Sequence, residues 1–239
     1  MNYAELLNEQ QLKAVSTRAQ YARIVAGAGS GKTRVLTYRI SYLISEMGVD
    51  PNKIVAIAFT NKVAAEMKSR ALSILSGNVS GLNVSTFHSW CAKFLRKEID
   101  VLGYPNNFTI MDEEDTESLI KNIGVDFGFK KNDDMVKYAI GYIGGCKCKG
   151  YYPTDITIDL HAGVKEKTAL KFFHEYEKRK DAMLCLDFDD LLLKTIQILK
   201  NYPEIRTKWY TRISHILIDE FQDTNNVQFE LVKLLMNEQ

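Results

Sequence analysis

The apolar positions of this chain follow two periodicities in different regions. Four short runs rich in β-branched residues occupy residues 23–26, 53–59, 82–85 and 213–218. The first three are each followed by a polar or glycine turn and then by a helical pattern. Such alternation predicts a parallel sheet with crossover helices. The helix predicted over residues 32–47 places Val35, Leu36, Ile40, Leu43 and Ile44 on one face, the period of an amphipathic helix. Between residues 89 and 211 strand-like runs nearly vanish. Helices are predicted there over residues 90–102, 113–127, 134–143, 164–180 and 188–200. Thr86 and Ser89 suit the start of the first, and Asp112, with acids behind it, suits the start of the second. Gly144-Gly145 and Tyr152-Pro153 punctuate the segment. The pattern therefore describes an α/β domain interrupted by helices, without internal repeats.

Composition narrows the class. The 239 residues are 46% apolar and 26% charged, which excludes a disordered tail, a collagen-like repeat and a disulfide-stapled miniprotein. A run of 18 or more apolar residues is absent, so no membrane span is expected, and the first residues lack the layout of a signal peptide. Cys91, Cys146, Cys148 and Cys185 show no zinc spacing, since no second cysteine or histidine pair completes Cys146-Lys147-Cys148. Free thiols of a cytoplasmic protein are expected. The net charge of +1 hides an asymmetry: residues 1–100 carry 13 basic and 7 acidic side chains, the remainder 18 and 23. A uniform basic coat is excluded, but a local anion-binding surface in the first hundred residues is not.

That basic part contains Ala26-Gly27-Ala28-Gly29-Ser30-Gly31-Lys32-Thr33 between a predicted strand and a predicted helix. Glycines let successive backbone N–H groups turn toward a phosphate, and the helix directs its positive end at the same anion. Lys32 then reaches the β- and γ-phosphates of a nucleotide and the Thr33 hydroxyl coordinates Mg²⁺. The strict pattern begins with glycine, where this chain has Ala26. The fourth predicted strand runs into Asp219-Glu220-Phe221-Gln222-Asp223. An acid at the C-terminal end of a parallel strand sits beside a phosphate loop. Asp219 is the expected Mg²⁺ partner and Glu220 the expected general base for the attacking water. The two motifs together specify nucleoside triphosphate hydrolysis.

Residues 26–33 and the stretch from Asp219 to Asn225 resemble the UvrD/Rep/PcrA-type DNA helicases of superfamily 1, and further stretches agree. Residues 7–15 are similar to the family's Q motif, which implies that Gln11 reads adenine. Phe59-Thr60-Asn61-Lys62, with Ala64-Ala65-Glu66-Met67, and Ser85-Thr86-Phe87-His88 are similar to motifs that face single-stranded DNA. Asp187-Phe188-Asp189-Asp190-Leu191 matches a family element ahead of the last strand. The resemblance implies a RecA-like P-loop NTPase sheet with helices on both faces. Residues 1–88 and 212–239 would form the ATP-binding motor domain, and residues 89–211 an all-α inserted subdomain. It also implies ATP and Mg²⁺ as cofactors, single-stranded DNA and single-strand/duplex junctions as partners, and 3′→5′ movement of the parent enzyme.

Individual residues retain more than one reading. By the resemblance Arg34 lies near the nucleotide base, although an exposed helix arginine is ordinary. Phe59 either stacks on a DNA base or belongs to the core. Thr60, Asn61 and Lys62 open a helix, where N–H groups and a cation suit a DNA phosphate. Phe87 and His88 end the next strand, and His88 is expected on DNA rather than in a capping or core role. Lys147 and Lys149 are either solvated or duplex contacts. The family's next motif, its second RecA-like domain and the arginine fingers are not in the sequence. An N-terminal fragment of a larger helicase, inactive alone, is expected. Other readings are the motor subunit of a helicase–nuclease, a non-catalytic nucleotide-dependent DNA-binding module, and a P-loop ATPase without DNA dependence.

Overall fold

The computed structural model describes residues 2–27, 29–77, 79–157 and 163–236. In chain order the elements are α1 (Tyr3–Leu6), α2 (Glu9–Ser16), α3 (Lys32–Ser45), β1 (Ile54–Ile57), α4 (Asn61–Ile74), β2 (Asn83–Ser85) and α5 (Phe87–Glu98). They continue with β3 (Thr109–Ile110), α6 (Glu113–Asp126), α7 (Asp134–Cys148), α8 (Val164–Ala182), β4 (Cys185–Leu186), α9 (Phe188–Asn201) and α10 (Pro203–Arg212). The last are β5 (His215–Ile218) and α11 (Asn226–Leu235). The result is a mixed α/β chain in two compact units, Met1–Ser89 with Thr207–Thr224, and Trp90–Arg206 with Asn225–Gln239. No described helix is long and apolar enough to cross a membrane.

In the first unit a parallel sheet has the order β2-β1-β5. Ile54 aligns with His215 and Ile57 with Ile218, while Ile57 also faces Ser85. The strands are Val/Ile-rich because β1 is buried along its whole length, as a covered parallel strand requires. One face carries Ile54, Ala56, Ala58, Leu82 and Val84, and packs against Ile40 and Leu43 of α3 and Ala64, Met67 and Ala71 of α4. Leu36 and Ile44 pack on the same cluster, whereas Val35, expected on that face, packs with Tyr3, Leu7 and Val15 in a second cluster.

The first expected strand does not form. Residues 23–26 form no strand and belong to no described ladder, and Val25 is 82% exposed. An apolar run becomes a strand only where a neighbouring backbone satisfies its N–H and C=O groups, and among the described strands β5 pairs with β1 alone. α10 arises where no helix was expected, beginning at Pro203, a residue whose fixed φ suits the first helical position.

The second unit is mainly helical. Ile120 and Ile123 of α6, Val136 and Ala139 of α7, and Ala169, Phe172, Phe173 and Tyr176 of α8 form its core. The short strands β3 and β4 pair in parallel, and α11 packs on α9. Asp112 caps α6 in a reciprocal box with Asp115, as its sequence suggests. At Gly124 a Cβ would lie 2.6 Å from Val136 Cγ2, and Val136 is fully buried. Gly124→Ala is expected to be net destabilising. Overpacking costs about 1–3 kcal/mol and outweighs the gain of about 0.5–1 kcal/mol from replacing a helical glycine. Denaturant unfolding checks this, through a lower midpoint at an unchanged slope.

Beneath α9 lies a cluster of buried charges. Asp187 and Asp190 form the capping box of α9, each side chain accepting from the other's backbone N–H. Both carboxylates also accept from two fully buried ammonium groups. Lys147 Nζ donates to Glu177 (3.2 Å), Asp187 and Asp190 (2.8 Å). Lys180 Nζ reaches Glu177 (2.8 Å), Asp187 (3.1 Å) and Asp190 (2.6 Å). Three N–H donors on each lysine meet three acceptors, which leaves neither ammonium short of a partner. Tyr176 and Tyr152 add hydroxyl donors to Asp187 (2.7 Å) and Asp190 (3.0 Å). Lys147 is therefore neither solvated nor a DNA contact, because only buried acids can compensate a cation at that depth. Lys149 is exposed. The three acids lie close enough to share a metal ion, but the Lys147 and Lys180 ammonium groups already lie among all three. The four cysteines are free.

Candidate functional site

The phosphate loop precedes α3 as an exposed turn. Gly29 and Gly31 have φ of +75° and +85°, values accessible to glycine at little cost. Gly31 is the N-cap of α3. The Ser30 N–H and hydroxyl both donate to the Gly27 carbonyl, at 3.3 and 2.7 Å. A Cβ at Gly27 or Gly29 would meet nothing within 4 Å, so the loop is open on its outer side. Ala28 lies outside the described residues. Lys32 Nζ donates to the Ala26 carbonyl at 3.4 Å and lies 3.7 Å from Glu220 Oε2. These features fit a phosphate ligand: an open glycine turn, the start of a long helix and a lysine at its rim.

Strand β5 delivers the acids. The Asp219 N–H donates to the Ile57 carbonyl at 2.9 Å, continuing the β1–β5 ladder one residue further. The Thr33 hydroxyl donates to Asp219 Oδ2 at 3.1 Å, across 186 residues of sequence. The expected Mg²⁺ pair, Thr33 and Asp219, is thus assembled. Asp219 is buried and also accepts from the Glu220 N–H at 3.1 Å. Glu220 has φ of +49°. A non-glycine residue held in this region stores strain, and such strain gathers at functional sites. Its carboxylate accepts from Gln222 Nε2 and faces Lys32.

Gln11 occupies the third position of α2 and closes a capping box. Its N–H donates to Asn8 Oδ1 (2.8 Å), and its Oε1 accepts from the Asn8 N–H (3.2 Å). Its Nε2 donates to the Ser30 carbonyl at 3.2 Å, so the side chain expected to read adenine touches the phosphate loop. An amide has two donors and two acceptor sites, and one of each remains. Arg34 donates to the Leu6 carbonyl at 2.8 Å and lies over the Tyr38 ring, 5.5 Å from its centroid. It ties α1 to α3.

The residues expected on DNA gather at the C-terminal ends of β1 and β2. Phe59 is 65% exposed, which removes the core reading. The Thr60 hydroxyl accepts from the Val63 N–H at 3.2 Å and caps α4. Lys62 is exposed. Phe87 and His88 are half-buried at the start of α5. Burial holds the His88 imidazole below its usual pKa, which favours the neutral ring at pH 7. Asn61 Oδ1 lies 3.2 Å from the Ser89 hydroxyl and 3.4 Å from that of Thr86. Sequence reasoning saw Ser89 only as a helix start. The Thr86-x-x-Ser89 spacing signals a hydroxyl pair, but the Asn61 partner is set by β1 and β2 pairing.

The glycine turn at the start of α3 thus meets the Asp219-Glu220 pair that follows β5 of a parallel sheet. The chain belongs to the UvrD/REP helicase N-terminal domain family, whose model matches residues 7–239. It is 39% identical over 98% of its length to a probable DNA helicase II homolog of Mycoplasma capricolum, and spans 33% of that protein. It is 38% identical over 96% of its length to the ATP-dependent DNA helicase PcrA of Staphylococcus aureus, spanning 31% of it. The PcrA of Staphylococcus epidermidis is likewise 38% identical, with 97% of this chain and 32% of the relative covered. The chain thus spans about a third of the length of these curated relatives.

Proposed function

We propose that this chain is the ATP-binding N-terminal part of an ATP-dependent DNA helicase that moves 3′→5′ on single-stranded DNA and unwinds duplex at junctions. The observation that carries the reading is the meeting of Lys32-Thr33 with Asp219-Glu220, through Thr33–Asp219 at 3.1 Å and Lys32–Glu220 at 3.7 Å. Residues 1–88 and 212–239 are read as the RecA-like motor domain, with helices on both faces of its sheet, and residues 89–211 as the inserted all-α subdomain. A longer polypeptide, of the length of the relatives, supplies the other wall of the cleft. The protein is expected in the cytoplasm.

In this reading the backbone N–H groups of residues 27–33 hold the triphosphate and Lys32 neutralises its outer oxygens. Gln11 and Arg34 hold the base. Thr33 and Asp219 would hold Mg²⁺, which supplies charge neutralisation at the phosphates when bound. Glu220 accepts a proton from the attacking water and orients it. Lys32 and Glu220 face each other. Their separation of 3.7 Å and partial exposure make this a weak contact that a triphosphate displaces. Phe59, Thr60, Asn61, Lys62, Phe87 and His88 carry single-stranded DNA at the sheet's carboxyl edge, where an exposed aromatic accepts any base. ATP turnover by the longer protein is expected to rise on adding single-stranded DNA. Turnover indifferent to DNA would favour a P-loop ATPase that is not a motor.

A further inference from the structure

Three side chains join the two segments read as DNA-facing, and their proton inventory fixes how one of them is presented. The Ser89 N–H donates to Thr86 Oγ1 at 3.2 Å. The Thr86 hydroxyl donates to Ser89 Oγ at 2.9 Å. The Ser89 hydroxyl donates to Asn61 Oδ1 at 3.2 Å. Each hydroxyl has a single proton, so the longer 3.4 Å approach of Thr86 to Asn61 is secondary and the chain runs Thr86 to Ser89 to Asn61. Thr86 is buried and Asn61 is exposed, so the relay leads from the protein interior to its surface. It consumes the Asn61 carbonyl on the inner side. Among the described residues no partner takes the two Nδ2 donors.

We infer that the Thr86–Ser89 hydroxyl pair is a positioning device that turns the Asn61 amide so that its N–H groups face a phosphate oxygen of the DNA backbone. The inference rests on the DNA-binding reading above and deepens it, adding Ser89 as a residue that acts through Asn61 without touching DNA. An unfixed amide would offer acceptor and donor faces equally, and its acceptor face repels a phosphate. With the carbonyl held inward, the surface beside the exposed Phe59 ring and Lys62 offers donors and cations. Phosphate contacts of this kind set register without reading sequence. The relay also links the end of β1 to the end of β2, so the two segments present their contacts as one surface.

The test uses the 239-residue chain and a fluorescein-labelled oligothymidine at low ionic strength, where phosphate contacts are strongest, with anisotropy as the readout. Ser89→Ala is expected to weaken binding by about threefold to tenfold, the scale of one neutral hydrogen bond. Ser89→Thr, which keeps the hydroxyl, is expected to restore it. Asn61→Asp still accepts from Ser89 but turns an anion outward, and is expected to bind more weakly than Asn61→Ala. The double variant Asn61→Ala/Ser89→Ala is expected to bind no more weakly than Asn61→Ala alone, because Ser89 acts only through Asn61. A purely structural role for Ser89 would instead give additive losses and a lowered melting temperature. Additive losses, or unchanged binding by Ser89→Ala, overturn the inference alone, provided Phe59→Ala and Lys62→Ala weaken binding. If those two variants also bind unchanged, or the chain does not bind the oligonucleotide, the DNA-binding reading falls with it.

Discussion

Glu220→Gln is expected to lower ATP turnover of the longer protein by about 10²–10⁴-fold, the usual contribution of a general base, while leaving nucleotide affinity within a few-fold. The glutamine keeps the volume and the neighbourhood of Gln222 but cannot take a proton from water at neutral pH. The backbone at residue 220, with φ of +49°, is equally strained in both proteins, so the change isolates the carboxylate. Lys32→Ala is expected to differ in kind. It removes the ammonium at the loop rim and is expected to abolish turnover and weaken nucleotide binding together. Steady-state hydrolysis with saturating single-stranded DNA, paired with equilibrium binding of a labelled nucleotide, separates the two. Undiminished turnover in both variants would remove these residues from their roles. The isolated chain is expected to hydrolyse ATP poorly, because the resemblance places arginine fingers, worth a factor of about 10³–10⁵ in such enzymes, on a second motor domain.

The second large effect is expected in the helical unit. Asp190→Asn is expected to destabilise it by about 3–5 kcal/mol, the cost of breaking a buried ion pair by removing one partner. The reason is geometric. Asp190 accepts from Lys147, Lys180, Tyr152 and the Asp187 N–H, and an amide can neither neutralise two ammonium groups nor accept from all four. The same cluster sets a pH dependence. Burial pushes the Asp190 carboxyl up, but the ammonium groups of Lys147, Lys180 and Lys194 overcome this and hold it well below the usual carboxylate range. Burial and the Asp190 charge likewise push Asp187 up, and Lys147 and Lys180 bring it below normal. A depressed folded-state value gives stability that is complete above the unfolded value, about 3.9, and is lost as pH falls through the folded value. Glu177 acts oppositely. Burial raises it despite Lys147 and Lys180, so its contribution is present at low pH and fades as pH rises through its folded value. Circular dichroism melts between pH 7 and 2 are expected to show loss of stability below about pH 4. That loss should be smaller in Asp190→Asn, which has already given up one of the two depressed groups. An unchanged acid limb would contradict the ionised state of the cluster.

The cluster also shows where sequence reading stops. Asp187-Phe188-Asp189-Asp190-Leu191 was legible as a family element, and Asp187 with Asp190 has the spacing of a helix start. Nothing in the order of residues says that Lys147 and Lys180, on α7 and α8, reach those carboxylates. Lys147 was open to a DNA-contact reading because charge in a sequence does not reveal burial. Phe59 was open in the other direction, since an aromatic at a strand end reads equally as core or as surface, and its 65% exposure removes the core reading.

The sequence alone determined the local elements and the chemistry of the motifs. Helical periodicity placed α3, α6, α8 and α9, and capping residues such as Asp112 marked their starts, because helix signals act over three or four residues. The residue types of a phosphate loop and an Asp-Glu pair are similarly short-range. Only the tertiary structure decided which of the apolar runs became strands. Residues 53–59, 82–85 and 213–218 found parallel neighbours, whereas residues 23–26 did not, and a strand exists only when a ladder partner takes its backbone groups. The tertiary structure also decided that Thr33 meets Asp219 across 186 residues, and that the Ser89 hydroxyl meets Asn61 Oδ1. Both follow from the register of β1 with its neighbours, a long-range pairing that no local pattern encodes.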